Sequence, residues 1–189
     1  MNIAYLISRV FGPTVVLIAL TVIAGLRSGL PGADLMWFYV TLFGFILLPV
    51  LCVRVWFIKT KRVSDWDISN RRERIVPLII LLGFDILFYC IVLQFHNQVL
   101  SSLFLLFVAW MIGFFFITVF WKISGHASII TLAIMILVAW YGKNWWPLFL
   151  LIPVVSWSRV VLKHHTLAQV IAGVVYSLCI IILYSLYIK

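Results

Sequence analysis

Apolar runs of bilayer-crossing length follow one another along this chain with only short polar intervals between them. A helix needs about 20 such residues to cross the hydrocarbon core. Runs of this kind occupy 4–26, 36–58, 75–95, 100–121 and 127–141, and two more, the first of them short, occupy 145–157 and 167–188. The expected fold is therefore all-α, a polytopic transmembrane helix bundle of six to seven spans. Composition excludes the soluble alternative: 66% of the 189 residues are hydrophobic, 10% are charged and mean hydropathy is +1.22. Too little polar surface remains to cover a water-soluble globule.

No stretch reads as a soluble domain, a low-complexity linker or a transit peptide, and the longest polar interval is 59–74. We expect one membrane-embedded domain over 1–189. The first apolar run is followed by no small-residue cleavage site and reads as a retained span. Cys52, Cys90 and Cys179 fall inside apolar runs at spacings that suit neither a zinc site nor a disulfide framework. Trp37, Trp56, Trp66, Trp121, Trp145 and Trp146 mark the headgroup level at the ends of spans.

Alternating the spans across the bilayer puts the intervals after the second, fourth and sixth runs on one face. That face collects Arg9, Lys59, Lys61, Arg62, Arg71, Arg72, Arg74, Lys122, Arg159 and Lys163, against Arg27, Lys143 and Lys189 on the other. The positive-inside rule accounts for Lys59, Lys61 and Arg62. Arg159 reads differently. It stands beside Ser158 and just before His164 and His165 at a span end, where a guanidinium fork suits phosphate oxygens.

Ser124-Gly125-His126 opens an expected helix, so backbone N–H groups and the positive end of the helix dipole face whatever lies there. An anion is the natural occupant. Gly125 allows close backbone approach, and His126 in the first turn can donate a proton to a leaving oxygen. Arg159 and His165 are six residues apart, which on one continuous helix would set them about 240° from each other. A turn within 161–164 would let both side chains reach one pocket. His165 and Gln169, at i and i+4, are helix neighbours, so Gln169 can hold one imidazole nitrogen while the other faces the pocket. Gly173, four residues on, leaves room for close helix packing.

These residues carry a resemblance. The chain resembles the type 2 phosphatidic acid phosphatase superfamily, whose three motifs are a basic stretch with a following Pro, then Pro-Ser-Gly-His, then Ser-Arg and a His followed at i+4 by Asp. Here the second is Ser124-Gly125-His126 preceded by Ile123, and the third is Ser158, Arg159, His165 and Gln169. The first is represented by Asn70-Arg71-Arg72-Glu73-Arg74 with Pro77 behind it. The motif-bearing core covers about 59–173. The resemblance implies a lipid phosphatase without metal or cofactor. His165 would attack phosphorus to form a phosphohistidine, and His126 would protonate the departing oxygen. Arg159, Arg74, Arg71, Ser158 and the backbone at Ser124 and Gly125 would hold the phosphate. Gln169 stands where the family has Asp, and can accept the same hydrogen bond without the charge. Which of Arg71, Arg72 and Arg74 clamps phosphate stays open.

The implied partners are a lipid phosphate and the bilayer, with no nucleic acid. The implied location is the plasma (inner) membrane. Polyprenyl diphosphates such as undecaprenyl diphosphate, phosphatidate-type lipids and sphingoid phosphates all satisfy the pattern. A phosphotransferase and a non-catalytic lipid-phosphate binder use the same motifs. Asp85, an acid within a span, reads as a neutral group hydrogen-bonded to a neighbouring helix, with replacement of the charge missing at Gln169 as the sharper alternative. Asp65 and Asp67 read as caps or ion-pair partners. His96 marks a turn on the opposite side.

Overall fold

The computed structural model of the protein describes residues 3–63, 68 and 70–187. Asp65, Trp66, Asp67 and Lys189 lie outside these. The described residues form helices joined by short turns, with no strand among them. Helices α1 (Ile3–Val10), α2 (Pro13–Arg27), α3 (Gly32–Leu42), α4 (Leu48–Lys59) and α5 (Arg71–Leu93) are followed by α6 (Gln98–Phe120), α7 (Gly125–Tyr141), α8 (Leu151–Val161) and α9 (Leu167–Tyr187).

Each expected apolar run coincides with helix, but not each is a regular span. Among the described residues, four helices are long and apolar enough to cross a membrane: Gly32–Lys59, Arg71–Leu93, Gln98–Phe120 and Leu167–Leu186. The number rises to five if α1 and α2 form one broken span, against the six to seven expected. The run at 4–26 is not continuous: α1 and α2 are bent by 41°. The break follows from Gly12 and from Pro13, whose fixed φ suits the first position of a helix and whose missing N–H ends the preceding one. Helix α7 is apolar but has 17 residues, about 25 Å of rise against a core of about 30 Å. The run at 145–157 lies in a 3₁₀-helix, Lys143–Leu150, that leads into α8.

The chain falls into two compact units, one of Met1–Leu20 with Ile123–Lys189 and the other of Thr21–Lys122. In the second unit, α3 runs into α4 through a π-helical turn, Phe43–Leu47, in which the Leu48 N–H reaches back to the Phe43 carbonyl. Pro49 explains it. Proline can give no N–H to the carbonyl four residues earlier and crowds it, and a wider turn relieves both problems. Phe38, Phe88 and Phe104, all fully buried, meet as tilted and edge-to-face rings that hold α3, α5 and α6 together. Tyr39 Oη donates to the Val22 carbonyl at 2.9 Å. Asn97 caps α6 by accepting from the Leu100 N–H and donates to the Ser28 carbonyl. His96, with φ 47°, lies in the turn before it. All three cysteines are free and exposed.

Candidate active site

The second and third motifs belong to the first unit. Helix α7 is buried almost all round, from His126 to Ile134, which is what a helix apolar on every face requires. Ser124 is its N-cap, extended at φ −84° and ψ 109°, and its Oγ accepts the Ala127 N–H. His126 follows in the first turn and is 9% exposed. Ile123, where the family motif has Pro, is fully buried.

The turn expected within 161–164 is present. Helix α8 ends at Val161, Lys163 takes the left-handed conformation at φ 58°, and the Arg159 carbonyl accepts the N–H groups of both His164 and His165 at 3.1 and 3.2 Å. This is the usual means of satisfying last-turn carbonyls with a left-handed residue. It folds His165 back onto the turn that carries Arg159. Arg159 and His165 are both buried. The Ser158 hydroxyl donates to the Val155 carbonyl at 2.7 Å, and Arg159 Nη1 donates to Ser8 Oγ on α1.

Gln169 is engaged at three points. Its Oε1 accepts the Thr166 N–H at 3.3 Å, and its own N–H donates to Thr166 Oγ1 at 3.3 Å. This is a capping box at the start of α9. The same Oε1 lies 3.1 Å from His165 Nδ1. An amide oxygen only accepts, so Nδ1 is the donor in this bond; in the neutral imidazole that leaves the lone pair on Nε2, the tautomer a nucleophile needs. Third, the Gln169 carbonyl accepts the Ser124 N–H at 3.0 Å, which ties the start of α9 to the start of α7. Of the two backbone donors expected at the second motif, Ser124 is thus taken by the joint and Gly125 is the other.

Small residues make that joint close. A Cβ on Gly173 would come within 2.6 Å of the Ser124 carbonyl oxygen, so the packing role expected of this glycine is present. One turn deeper, Ser128 Oγ and Ser177 Oγ are 2.7 Å apart, and Ser177 Oγ lies 2.8 Å from the Ser128 carbonyl. Sequence reading missed Thr166, Ser8, Ser128 and Ser177. Thr166-Leu-Ala-Gln169 is a capping-box pattern, and Ala4 and Ser8 are small residues at i and i+4, so both had a signal. The paired serines had none beyond their spacing to Ser124 and Gly173.

The first-motif arginines belong to the second unit. Asn70 caps α5 by accepting the Arg72 N–H. Arg71 Nη1 donates to the carbonyls of Thr118 and Val119, satisfying the C-terminal end of α6, where a cation is favoured. Arg74 Nε donates to the Ile68 carbonyl at 2.5 Å. Asp85 is in this unit too, 8% exposed, and its Oδ2 has no hydrogen-bond partner among the described residues. The expected bond to a neighbouring helix is not made by that atom.

The first unit thus holds the buried Arg159 and His165 just before α9 and the buried His126 in the first turn of α7, with the starts of the two helices tied by the bond from the Ser124 N–H to the Gln169 carbonyl. The model of the PAP2 superfamily matches residues 120–189, consistent with a PAP2 superfamily member. No curated protein and no solved structure matches the chain. The family match supports phosphatase-type activity on phosphate esters by a multi-pass membrane protein.

Proposed function

We propose that the protein is an integral membrane lipid phosphatase acting on a phosphate monoester or diphosphate through a phosphohistidine, without metal. His165 Nε2 attacks phosphorus, and the bond to the leaving oxygen, the lipid's own in a monoester or the bridging one in a diphosphate, breaks as His126 gives that oxygen its proton. Water then attacks the phosphohistidine, the P–N bond breaks, and His126 takes up the proton that water loses. Arg159 and the Gly125 N–H hold the equatorial oxygens, and stabilising the charge that develops there is usually what accelerates such a reaction most.

The observation that carries the reading is the bond from His165 Nδ1–H to Gln169 Oε1, because it leaves Nε2 as the nitrogen of a buried imidazole that can attack. The lipid tail stays in the bilayer while the headgroup reaches the joint from the interface. For the span count we favour seven passages. The segment Lys143–Val161, part 3₁₀ and part α, rises about 30 Å because a 3₁₀-helix climbs about 2.0 Å per residue. The plasma (inner) membrane is the proposed location.

The test is phosphate release by purified protein in detergent with a chelator present, across polyprenyl diphosphates, phosphatidates and sphingoid phosphates. Release by wild type and its loss in His165→Ala and His126→Ala are expected. Dependence on added magnesium would overturn the histidine mechanism. Gln169, neutral where the family has Asp, favours a second reading, a non-catalytic binder of lipid phosphates. A silent wild type that gains activity as Gln169→Asp would decide for it. A lipid phosphotransferase would show itself by phosphate appearing on an added lipid alcohol.

A further inference from the structure

Helix α1 lies more than a hundred residues from the second and third motifs and outside the family match, yet it is part of the same compact unit as they are. Its two buried side chains are Ala4 and Ser8, one turn apart, and α1 packs against α8. Arg159 is the largest fully buried side chain among the described residues, 1% exposed, and its Nη1 donates to Ser8 Oγ, itself 5% exposed. A guanidinium stays protonated and donates only. Buried, it needs acceptors fixed in place.

From this geometry we infer that Ser8 is a positioning residue for phosphate binding: its hydroxyl fixes the plane of the Arg159 guanidinium so that the fork meets phosphate oxygens without first reorienting. The inference rests on the reading of Arg159 as a phosphate ligand. The guanidinium is rigid and planar. Fixing one Nη1–H direction, with the side chain anchored at the last turn of α8, therefore fixes the direction of the whole group. Hydrogen bonds to charged groups are the stronger class. Small Ala4 lets α1 approach α8, and the break at Gly12–Pro13 lets α1 take its own direction there.

The experiment measures binding of inorganic orthophosphate, and KM and kcat for a short-chain phosphatidate, in wild type, Ser8→Ala, Ser8→Thr, Arg159→Ala and the double variant Ser8→Ala/Arg159→Ala. Ser8→Ala is expected to weaken orthophosphate and raise KM by roughly tenfold with a smaller change in kcat. Ser8→Thr, which keeps the hydroxyl, is expected to stay within about twofold of wild type. The double variant is expected to match Arg159→Ala. Ser8→Cys replaces Ser8→Ala if the alanine protein does not purify as a single species. Unchanged orthophosphate binding in the folded Ser8 variant, or an equal loss in the Arg159→Ala background, would overturn the inference. His165→Ala leaves the Ser8–Arg159 pair intact, so turnover in that variant tests the phosphatase reading separately. Orthophosphate binding tests Ser8 whether or not turnover is seen.

Discussion

At Gln169 one side-chain oxygen serves the Thr166 N–H and the His165 Nδ1–H together. Gln169→Ala is therefore expected to do two things: lower stability by about 1 kcal/mol through loss of the capping box, and lower phosphate release by roughly 10²-fold because the imidazole tautomer is no longer fixed. Thermal unfolding and turnover in detergent check the two effects independently. Gln169→Asp keeps both acceptor roles and adds a charge that favours the imidazolium-like state formed on attack. A charge-assisted bond is roughly twice as strong as a neutral one, so a gain in kcat of about tenfold is expected. Equal or lower kcat would mean that the neutral amide is already matched to its site. Asp85 gives the opposite kind of prediction. Its buried Oδ2 lacks a partner among the described residues, so Asp85→Leu is expected to raise stability by about 1–3 kcal/mol, read from the unfolding midpoint.

At the scale of elements, the α7–α9 joint has almost no tolerance. Gly173→Ala sets a methyl 2.6 Å from the Ser124 carbonyl oxygen, which is backbone and cannot swing away. A loss of about 1–3 kcal/mol is expected, with kcat falling more than KM rises because His126 and His165 sit at the two helix ends being pushed apart. Unchanged kinetics would separate the joint from the chemistry. Part of this joint was legible in the sequence: His165, Gln169 and Gly173 have helix-neighbour spacing, and the turn after Arg159 follows from the need for two residues on opposite helix faces to converge, whereas the partnering of Ser124 with Gln169 and Gly173 had no local signal. Ser8 was not legible as a partner of Arg159, because nothing local links a serine on the first helix to an arginine on the eighth. The breaks and irregular turns within the apolar runs were not legible for a related reason. Hydropathy reports apolar length, whereas Gly12–Pro13, the short α7 and the 3₁₀ stretch before α8 are set by backbone chemistry and packing.

At the scale of the whole molecule, Ser8 and Arg159 show that the ends of the chain share one compact unit, while Arg71 and Arg74 belong to the other. The charge asymmetry predicts that the face carrying Lys163 is cytoplasmic. On a background with Cys52, Cys90 and Cys179 replaced, Lys163→Cys is expected to react with an impermeant maleimide only after the membrane is opened, and Lys143→Cys to react from outside. The reverse order would place the histidines on the outer face.

The double engagement of Gln169 also limits what evolution can do at that position. A side chain there is selected twice, once by folding and once by chemistry, and both demand an oxygen within reach of the first turn of α9. Drift is therefore confined to a narrow set of acceptors that differ mainly in charge. The letter at this position is a neutral amide, and its oxygen sits within hydrogen-bond reach of the imidazole all the same.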